Sequence, residues 1–281
     1  MALRIRRMQK EDIPLGLKLC RYAGWNQSQA DWERLLTLSP EGVFVAEYRG
    51  QPCATASATS YGTKTAWIGM LIVLPDFRRR DIGSSMIRHC IEYLRAKNIE
   101  SIKLDATDLG RPVYLKLGFE DERPVYRYFG PKPEGPIETT QAESIAPELW
   151  EAIAERDRVA FGADRLALLK RLDAQGIAAA VTSPSGLKGY GFARTGFHAS
   201  HIGPIVADDA RTADQIVRYL FTRLPEGRVC WDMLPDNAGA KTVAASCGLA
   251  VHRRLTRMFI GSQANSGDPS LVYGTAGLEL G

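Results

Sequence analysis

The sequence predicts an α/β protein with a mixed, mostly antiparallel sheet, built as two similar domains in tandem. In each half of the chain, runs rich in β-branched and aromatic residues give way to segments in which apolar residues follow helical spacing. A stretch rich in proline and glycine separates the halves. Short motifs recur at a long and nearly constant interval, which indicates two copies of one domain, each a sheet flanked by helices.

The first half begins with a short strand and two helices. The first helix starts near Asp12 and Pro14, a plausible N-cap and a first-turn proline, and the second ends at Pro40. Residues 42–74 then predict consecutive antiparallel strands. After Pro75 the period changes, and one helical face carries apolar residues expected to pack on the sheet: Ile82, Met86, Ile87, Cys90, Ile91 and Leu94.

The rest of the first half predicts a further strand, a short helix stopped by Gly118 and a last strand, "VYRYFG". The run "GPKPEGPIETT" then holds three prolines and two glycines and predicts a linker. The second half repeats the plan, with Thr212 as a candidate helix cap.

The repeat can be followed residue by residue. The strand Trp67–Val73 matches His201–Ala207 around Gly69 and Gly203. The pattern that starts at Thr107 matches one that starts at residue 237. We therefore expect a first domain at 1–130, a linker at 131–140, a second domain at 141–262, and a tail at 263–281 that packs back on the body as an extended segment.

Composition excludes several classes of protein. Hydrophobic residues make up 45% of the chain and charged residues 24%, as in ordinary globular domains. No run of about 18 apolar residues occurs, so we expect no membrane association. The start "MALRIRRMQKED" lacks the apolar core of a signal peptide, and we expect a cytoplasmic location.

Cysteine and histidine usage does not predict a metal site. The five cysteines are widely spaced without a C-x-x-C pair, which favours buried thiols over zinc ligands or disulfides. Among the four histidines, only His198 and His201 come close in sequence. The net charge of +4 is mild and is better explained by local basic patches than by nucleic-acid binding.

A turn dense in arginine follows the strand that ends at Val73. Arg78, Arg79 and Arg80 precede a helix whose first amides lack intrahelical partners and whose dipole favours anions. Gly83 allows a ligand to approach the backbone. The pattern indicates either a pyrophosphate-binding turn or a solvated basic loop.

This stretch resembles the coenzyme-binding motif of the GNAT (GCN5-related N-acetyltransferase) superfamily, whose R/Q-x-x-G-x-G/A loop wraps the pyrophosphate of acetyl-CoA. The resemblance assigns the diphosphate to residues 78–84, where Asp81, Ile82, Gly83 and Ser84 follow the arginines. Asp81 replaces the usual glycine. A carboxylate that pointed inward would repel the diphosphate, whereas one that pointed away would be tolerated.

A second stretch, "VYLKLGF", resembles the family's LYxKxGF motif. The resemblance implies that Tyr114 protonates the departing coenzyme A thiolate, although an aromatic residue that packs a helix on the sheet would fit the same pattern. It assigns Thr107 to the pantetheine arm, in place of the usual Asn. It assigns main-chain contacts with the pantetheine to Leu71, Ile72 and Val73.

The resemblance extends to tandem GNAT proteins with a divergent second domain. The second half has only Arg211 where three arginines stood, and Ala244 in place of Tyr114, so we expect it not to bind acetyl-CoA. By family position, the loop with Tyr22, Trp25 and Asn26 borders the acceptor. Trp25 would wall the pocket, stack on a cation, or simply pack.

The base that deprotonates the acceptor is not evident from the sequence. Many members of the family carry a Glu where this chain has Gly69, and Asp105, Asp108, Glu47 or a chain of water molecules remain as candidates.

The sequence therefore predicts an N-acetyltransferase that uses acetyl-CoA as cosubstrate and acetylates a primary amine of a small molecule, as a monomer or homodimer. The alternative is a non-catalytic module that binds or senses acyl-CoA, which Asp81 and the missing base favour. Nucleic-acid binding through the arginines would require aromatic interleaving or a helix-turn-helix, and neither is present.

Overall fold

One continuous sheet runs through both halves of the chain. The computed structural model describes residues 3–133, 140–263 and 266–281. Over these residues the sheet has the order β1-β2-β3-β4-β5-β11-β6-β10-β9-β8-β7, with β12 paired to β9. The strands are β1 Leu3–Arg7, β2 Val43–Tyr48, β3 Gln51–Tyr61, β4 Thr65–Val73, β5 Ser101–Ala106, β6 Glu120–Pro131, β7 Ile177–Ser183, β8 Gly186–Arg194, β9 Ser200–Ala207, β10 Arg228–Met233, β11 Ala250–Gly261 and β12 Val272–Gly274.

Eight α-helices in the described residues flank this sheet. In the first half, α3 packs its apolar face on β3 and β4, with the six apolar residues named above buried and Arg88, Glu92 and Arg95 exposed. In the second half, α7 packs in the same way on β7, β8 and β9. The helices are α1 Ile13–Ala23, α2 Gln29–Leu38, α3 Ile82–Arg95, α4 Arg111–Lys116, α5 Trp150–Phe161, α6 Leu166–Gln175, α7 Ala210–Arg223 and α8 Ala238–Ser246.

The predicted N-cap of α7 is wrong by three residues. Thr212 does not cap the helix. Asp209 is the N-cap, and its Oδ1 accepts a hydrogen bond from the Thr212 amide at 2.8 Å. The carboxylate satisfies an amide that has no partner within the helix and also complements the helix dipole.

The repeat predicted from sequence is visible in the strand order. Strands β2 to β5 and β7 to β10 occur in mirrored positions on the two sides of the sheet. In each half the first pairs are antiparallel, and the last pair, β4 with β5 or β9 with β10, is parallel. The chain therefore forms two similar α/β units, as the repeat predicted.

The two halves exchange their last strands. Strand β6, at the end of the first half, pairs with β10 of the second, whereas β11 pairs with β5 of the first. The two exchanged strands also pair with each other in the middle of the sheet. The predicted linker marks where the chain passes from one half to the other, but the sheet does not divide there. Residues 134–139 of that linker lie outside the described residues.

Matching ion pairs fix the exchanged strands. Arg127 on β6 makes two hydrogen bonds of 2.7 Å with Asp232 on β10. Arg257 on β11 makes two, of 2.9 and 3.0 Å, with Asp105 on β5. Both carboxylates are fully buried, so paired Arg–carboxylate geometry is needed to offset the cost of burying their charge.

The tail crosses the sheet surface after β11. Its main-chain carbonyls accept hydrogen bonds from buried side chains of both halves: Trp231 to Tyr273, Trp67 to Leu278 and Tyr61 to Leu280. Tyr273, Ala276 and Leu280 are buried. The tail is thus part of the packed structure in the described range 266–281.

We predict that Asp157→Ala destabilises the protein and loosens the tail. Asp157 is buried against Arg165 and the Tyr190 hydroxyl, and Arg165 also donates to the Gly281 carbonyl at 2.9 Å. The substitution leaves a buried guanidinium without its carboxylate, which typically costs about 3–5 kcal/mol. Urea unfolding measures this loss, and faster proteolysis of the tail accompanies it.

Glu155→Ala on the same helix is the matched control. Its carboxylate is exposed and, within the described part of the chain, pairs only with Arg158, three residues along the helix. An exposed pair of this kind contributes about 0–1 kcal/mol. Equal unfolding free energies for the two variants would contradict the proposed anchoring of the tail.

Candidate active site

Strands β4 and β5 separate along their length. They pair only from Thr65 to Trp67, with Ser101 to Lys103. Beyond Trp67 the edge of β4 that faces β5 has no partner strand among the described residues, although β4 remains paired with β3 as far as Val73. Leu71, Ile72 and Val73 lie on this open stretch, so their main chain borders a cleft.

A bulge reorients β4 inside the cleft. The register with β3 shifts between Thr55 and Ser57, and Met70 has a positive φ of 52°. The Thr55 hydroxyl donates to the Met70 carbonyl at 2.9 Å and holds this geometry. Positive φ is uncommon outside glycine, which marks the bulge as a position that the surrounding structure fixes.

The arginine-rich turn leads from the cleft to α3. Arg78 Nε donates to the Val73 carbonyl at 3.1 Å, and Arg80 stacks on the rings of Tyr48 and Phe77. All three arginines are exposed, and none forms an ion pair among the described residues. Helix α3 has no side-chain cap, so Ile82, Gly83 and Ser84 begin it with amides that lack intrahelical partners. This turn therefore presents positive charge and N–H donors beside the cleft.

The backbone at position 81 explains why the family motif has glycine there and why this chain can carry Asp81 instead. Asp81 has φ of 56°, in the left-handed region that glycine adopts freely and Asp tolerates better than most residues. Its carboxylate pairs with Arg88 at 3.0 Å on the exposed side of α3. The hydrogen bond from Arg88 lowers the pKa of Asp81. The carboxylate is engaged by Arg88 and also by the side chains of Ser84 and Ser85 in the first turn of α3.

A cavity of about 690 Å³, including its open mouth, fills the space between the separated strands. Its walls come from both halves of the chain. They comprise Trp25, Gln27, Ile68, Gly69, Met70, Leu71, Leu104, Asp105, Thr107, Tyr114, Arg127, Arg253, Leu255, Leu278 and Glu279. A second cavity of about 260 Å³ shares Gln27, Arg127 and Glu279 with it and extends toward β8 and β9.

Tyr114 and Thr107 meet in this cavity. Tyr114 lies on α4, and a Cβ on Gly110 would come within 3.3 Å of its hydroxyl oxygen. Burial raises the pKa of Tyr114 to about 12, so the phenol holds its proton at neutral pH. The Thr107 hydroxyl accepts a hydrogen bond of 3.3 Å from the Gly110 amide, and thus helps to start the helix that carries Tyr114.

The predicted acceptor-side residues separate into three different environments. Trp25 lines the large cavity. Asn26 lines the small one, but its side chain joins the halves, because it donates to the Ala199 carbonyl and accepts from the His198 and Ala199 amides. Tyr22 does not reach either cavity. Its side chain is 60% exposed on the outer face of α1.

A carboxylate of the tail enters the cavity, and sequence reasoning missed it. Glu279 is 3% exposed, and its main chain lies directly over Gly69. A Cβ at position 69 would approach the Cα and Cβ of Glu279 to 2.8 Å, so only glycine fits beneath the tail. The two positions are 210 residues apart, and no local pattern links them.

The corresponding cleft of the second half is filled by the tail itself. Strands β9 and β10 pair only as far as Ile202 and then separate, as β4 and β5 do. Strand β12 pairs there with Ile205 and Val206, the counterparts of Leu71 and Ile72. Main-chain groups that are open in the first cleft are thus already hydrogen-bonded in the second.

The beginning of α8 also holds the tail. Asn237 Nδ2 donates to the carbonyls of Ser270 and Val272 at 2.9 and 3.1 Å. The Tyr273 hydroxyl lies 2.8 Å from where a Cβ of Gly239 would be. By the sequence repeat, Asn237 corresponds to Thr107. The second cleft has therefore become a binding site for the chain's own tail.

Two family models match the chain. The model described as "Acetyltransferase (GNAT) family" matches residues 10–119, and the one described as "Acetyltransferase (GNAT) domain" matches residues 153–274. The chain belongs to the GNAT superfamily. It carries two GNAT domains in tandem, which agrees with the mirrored strand order.

Relatives span most of both domains. The uncharacterized N-acetyltransferase YitH of Bacillus subtilis is 26% identical over 79% of this chain and 78% of its own length. A putative acetyltransferase from Pyrococcus horikoshii superposes with a TM-score of 0.85 at 25% identity, over 100% of this chain and 96% of the other. A tandem GNAT protein from the clavulanic acid biosynthesis pathway shares the fold with a TM-score of 0.67 at 15% identity, over 92% and 98%.

Two further observations concern metal and membrane. The described residues contain no group of three or more His, Cys, Asp or Glu side chains placed to hold a metal ion. His201 lies in the small cavity, bonded to Arg194 and Asp232, whereas His198 is exposed on the loop before β9. No helix in the described ranges has both the length and the apolar character needed to cross a bilayer.

Proposed function

We propose that this GNAT protein is an acetyl-CoA-dependent N-acetyltransferase with one working site, in the first domain, and a small-molecule primary amine as acceptor. The observation that carries the proposal is the contrast between two equivalent clefts. The β4–β5 cleft is open and lined by Tyr114, whereas the β9–β10 cleft is occupied by β12.

The residues around the first cleft suit the parts of acetyl-CoA. The main chain of Leu71, Ile72 and Val73 on the unpaired edge of β4 is suited to hydrogen bonds with the pantetheine amides, and the Val73 carbonyl already accepts one from Arg78 Nε. Arg78, Arg79 and Arg80, with the free amides of Ile82, Gly83 and Ser84, suit a diphosphate. Thr107, directly after β5, also lines the cavity.

The chemistry proposed is direct transfer. The amine nitrogen attacks the thioester carbonyl, a C–N bond forms, and the C–S bond breaks. Tyr114 gives its phenolic proton to the departing sulfur, and its raised pKa keeps that proton in place until a thiolate forms. Main-chain amides at the bulge of β4 would polarise the carbonyl.

The segments that line the cavity support a small-molecule acceptor. The tail and the loop with Trp25 and Gln27 form part of its walls. An extended peptide or protein acceptor would have to displace these segments.

Two observations favoured the alternative, a non-catalytic acyl-CoA sensor: Asp81 and the missing base. The first of these now counts for less. Asp81 favoured it while the direction of its carboxylate was unknown, but that group is engaged with Arg88. Incubation of the protein with acetyl-CoA and a panel of polyamines, amino acids, amino sugars and arylalkylamines distinguishes the two functions. Release of free thiol that depends on an amine supports the transferase, and binding without release supports the sensor.

We predict that each chain binds one molecule of acetyl-CoA. Isothermal titration calorimetry measures the stoichiometry directly. The Asn237→Ala variant, which loosens the tail at the second cleft, should still bind one molecule, because the second half also lacks the arginines. Two equivalent sites in the native protein would contradict the assignment of a single working cleft.

We predict that Tyr114→Phe lowers kcat by about 10²–10⁴-fold, the usual contribution of a positioned acid. Acetyl-CoA binding should be retained, because the ring and its packing against Phe119 remain. Because the pKa of Tyr114 is raised to about 12, the native enzyme should keep its acid protonated at all pH values below that, and no loss of turnover from this group is expected near neutrality. Full turnover by the variant would exclude the acid role.

We predict that Asp81→Gly changes the affinity for acetyl-CoA by less than about threefold, which corresponds to an effect below about 1 kcal/mol. The carboxylate already faces Arg88, and glycine adopts the same positive φ without strain. Asp81→Val is the informative contrast, since a β-branched residue resists this conformation and should disturb the turn. A large gain in affinity with glycine would show that the carboxylate repels the diphosphate.

A further inference from the structure

Glu279 is the buried carboxylate best placed to act in the cavity, and the argument for its role rests on the proposed transferase function. Its side chain lines both cavities at their junction. Because the tail lies over Gly69, the Glu279 side chain leaves the main chain in the space that a side chain on β4 would otherwise fill. The tail thus supplies a carboxylate to a strand position that cannot carry one.

Other proton acceptors on the cavity walls are already engaged. Both oxygens of Asp105 are held by Arg257 at 2.9 and 3.0 Å. Asp31 lines the small cavity, and its oxygens accept hydrogen bonds from Arg34, Arg194 and the Ser28 amide and hydroxyl. Asp31 thus accepts four hydrogen bonds, as many as a carboxylate can, and Asp105 is held by both oxygens in the ion pair that fixes β11 to β5.

The remaining candidates for the general base either lie away from the cavities or have their acceptor atoms already in hydrogen bonds. His201 has one ring nitrogen against Arg194 at 2.9 Å and the other against Asp232 at 3.2 Å. Burial and Arg194 lower the pKa of His201 to about 4, which makes it a weak base. Glu47 pairs with Arg6 at 2.6 Å away from the cleft, and Asp108 does not line either cavity.

Glu279 accepts fewer hydrogen bonds than Asp31. Its Oε2 accepts one of 2.9 Å from Gln27 Nε2, and its Oε1 accepts one of 3.3 Å from Arg194 Nη2, with which it forms a buried ion pair. Its own main-chain amide also hydrogen-bonds to the carboxylate. A carboxylate can accept about four hydrogen bonds, so a lone pair remains that can receive a proton.

The buried environment raises the pKa of the Glu279 carboxyl group above its usual value. Burial raises the pKa of Glu279, Arg194 opposes this, and Asp31 adds to it. The charged and titratable groups that face it come from α1, α2, β3, β6, β8, β9 and β10, and are Cys20, Asp31, Arg34, Tyr61, Arg127, Arg194, His201 and Cys230. A carboxylate shifted upward is better matched to deprotonating an amine than an ordinary one.

A neighbouring buried atom indicates where the amine would lie. The Oε1 of Gln27 is buried and has no hydrogen-bond partner among the described residues. A buried carbonyl oxygen without a partner is costly, and a ligand donor would satisfy it. An amine N–H beside Glu279 can donate to this oxygen while a second N–H faces the carboxylate.

We propose that Glu279 is the general base that takes the proton from the acceptor amine, with Gln27 positioning both. As the C–N bond forms and the C–S bond breaks, one proton passes from the amine nitrogen to a Glu279 oxygen. Tyr114 gives one proton to the sulfur, so the products are the N-acetyl amine and the thiol of coenzyme A. Exchange with solvent then returns a proton from Glu279 to Tyr114, which restores both residues.

The Glu279→Gln variant is the first test. It keeps the shape and a hydrogen-bonding amide but cannot accept a proton, so we expect kcat/KM for an alkyl amine to fall about 10²–10⁴-fold. Acetyl-CoA affinity should be unchanged. Glu122→Gln is the matched control, since Glu122 is an equally buried carboxylate of the same sheet, paired with Lys103 at 2.9 Å and absent from the walls of both cavities.

The pH profile separates a base from a merely structural carboxylate. The ionised form of Glu279 is the active one, so native activity should fall as the pH drops through its raised pKa. Gln27→Met removes a hydrogen bond that stabilises the ionised form, and should move this limb of the profile to higher pH in a protein that still folds. Glu279→Gln should lose the limb altogether.

General nucleophiles complete the test, because they can be used without knowing the natural acceptor. Hydroxylamine and water are used as nucleophiles beside the amine panel, with free thiol as the readout. Native-like rates and pH profiles in Glu279→Gln, or an unmoved limb in Gln27→Met, would overturn the role of Glu279 alone. If the native protein binds acetyl-CoA but releases no thiol with any nucleophile, the transferase proposal fails and the base fails with it.

Discussion

The pairing of β6 with β11 is the constraint on which the site depends. Because each half gives its last strand to the other, one sheet spans the chain, and residues of the second half stand on the walls of the first cleft. Arg253 and Leu255 reach the cavity on β11, and Arg127 reaches it on β6. The paired Arg–Asp contacts to β5 and β10 fix both strands in the buried sheet. A first half alone would lack part of its own cavity wall.

The tail that follows β11 makes the two equivalent clefts different. Over the second cleft it runs as β12, and the carbonyl of Thr275 lies where a Cβ of Gly203 would be. Over the first cleft it lies against Gly69 and leaves the β5-facing edge of β4 open. One segment thus closes one site and completes the wall of the other. In both halves the glycine of the repeat, Gly69 or Gly203, lies directly beneath the main chain of the tail, which leaves no room for a side chain.

Features that depend on local sequence patterns could be predicted from the sequence alone. The apolar spacing of α3, the repeat around Gly69 and Gly203, and the arginine turn all follow from short-range periodicity or motif, and the structure shows those features. The strand exchange left no local signal, since alternation along β6 fits any partner strand equally well. The direction of the Asp81 carboxylate depends on Arg88, seven residues along the helix, and on a backbone angle that sequence does not reveal. A glutamate in the apolar run "LVYGTAGLEL" was the one available hint of Glu279, and its partner Gly69 is too distant to pair with it by pattern.

Two features of the second half, occupancy of its cleft by the tail and the lack of the three arginines, both oppose ligand binding there. A segment tethered to its own binding site has an effective concentration in the millimolar range when the connection is short and flexible. A free ligand that binds weakly cannot compete with the tail unless its own concentration is higher still. Asn237 and Trp231 hold β12 with hydrogen bonds to its backbone, so an incoming ligand would have to break these as well as the strand pairing. Once the tail lies there, arginines at the start of α7 have no diphosphate to bind, and Asp209 can cap that helix instead. The anionic cap and a diphosphate would compete for the same helix end. Occupancy of the second cleft by the tail is therefore consistent with the Asp209 cap, the absence of the three arginines and the glycine at position 203.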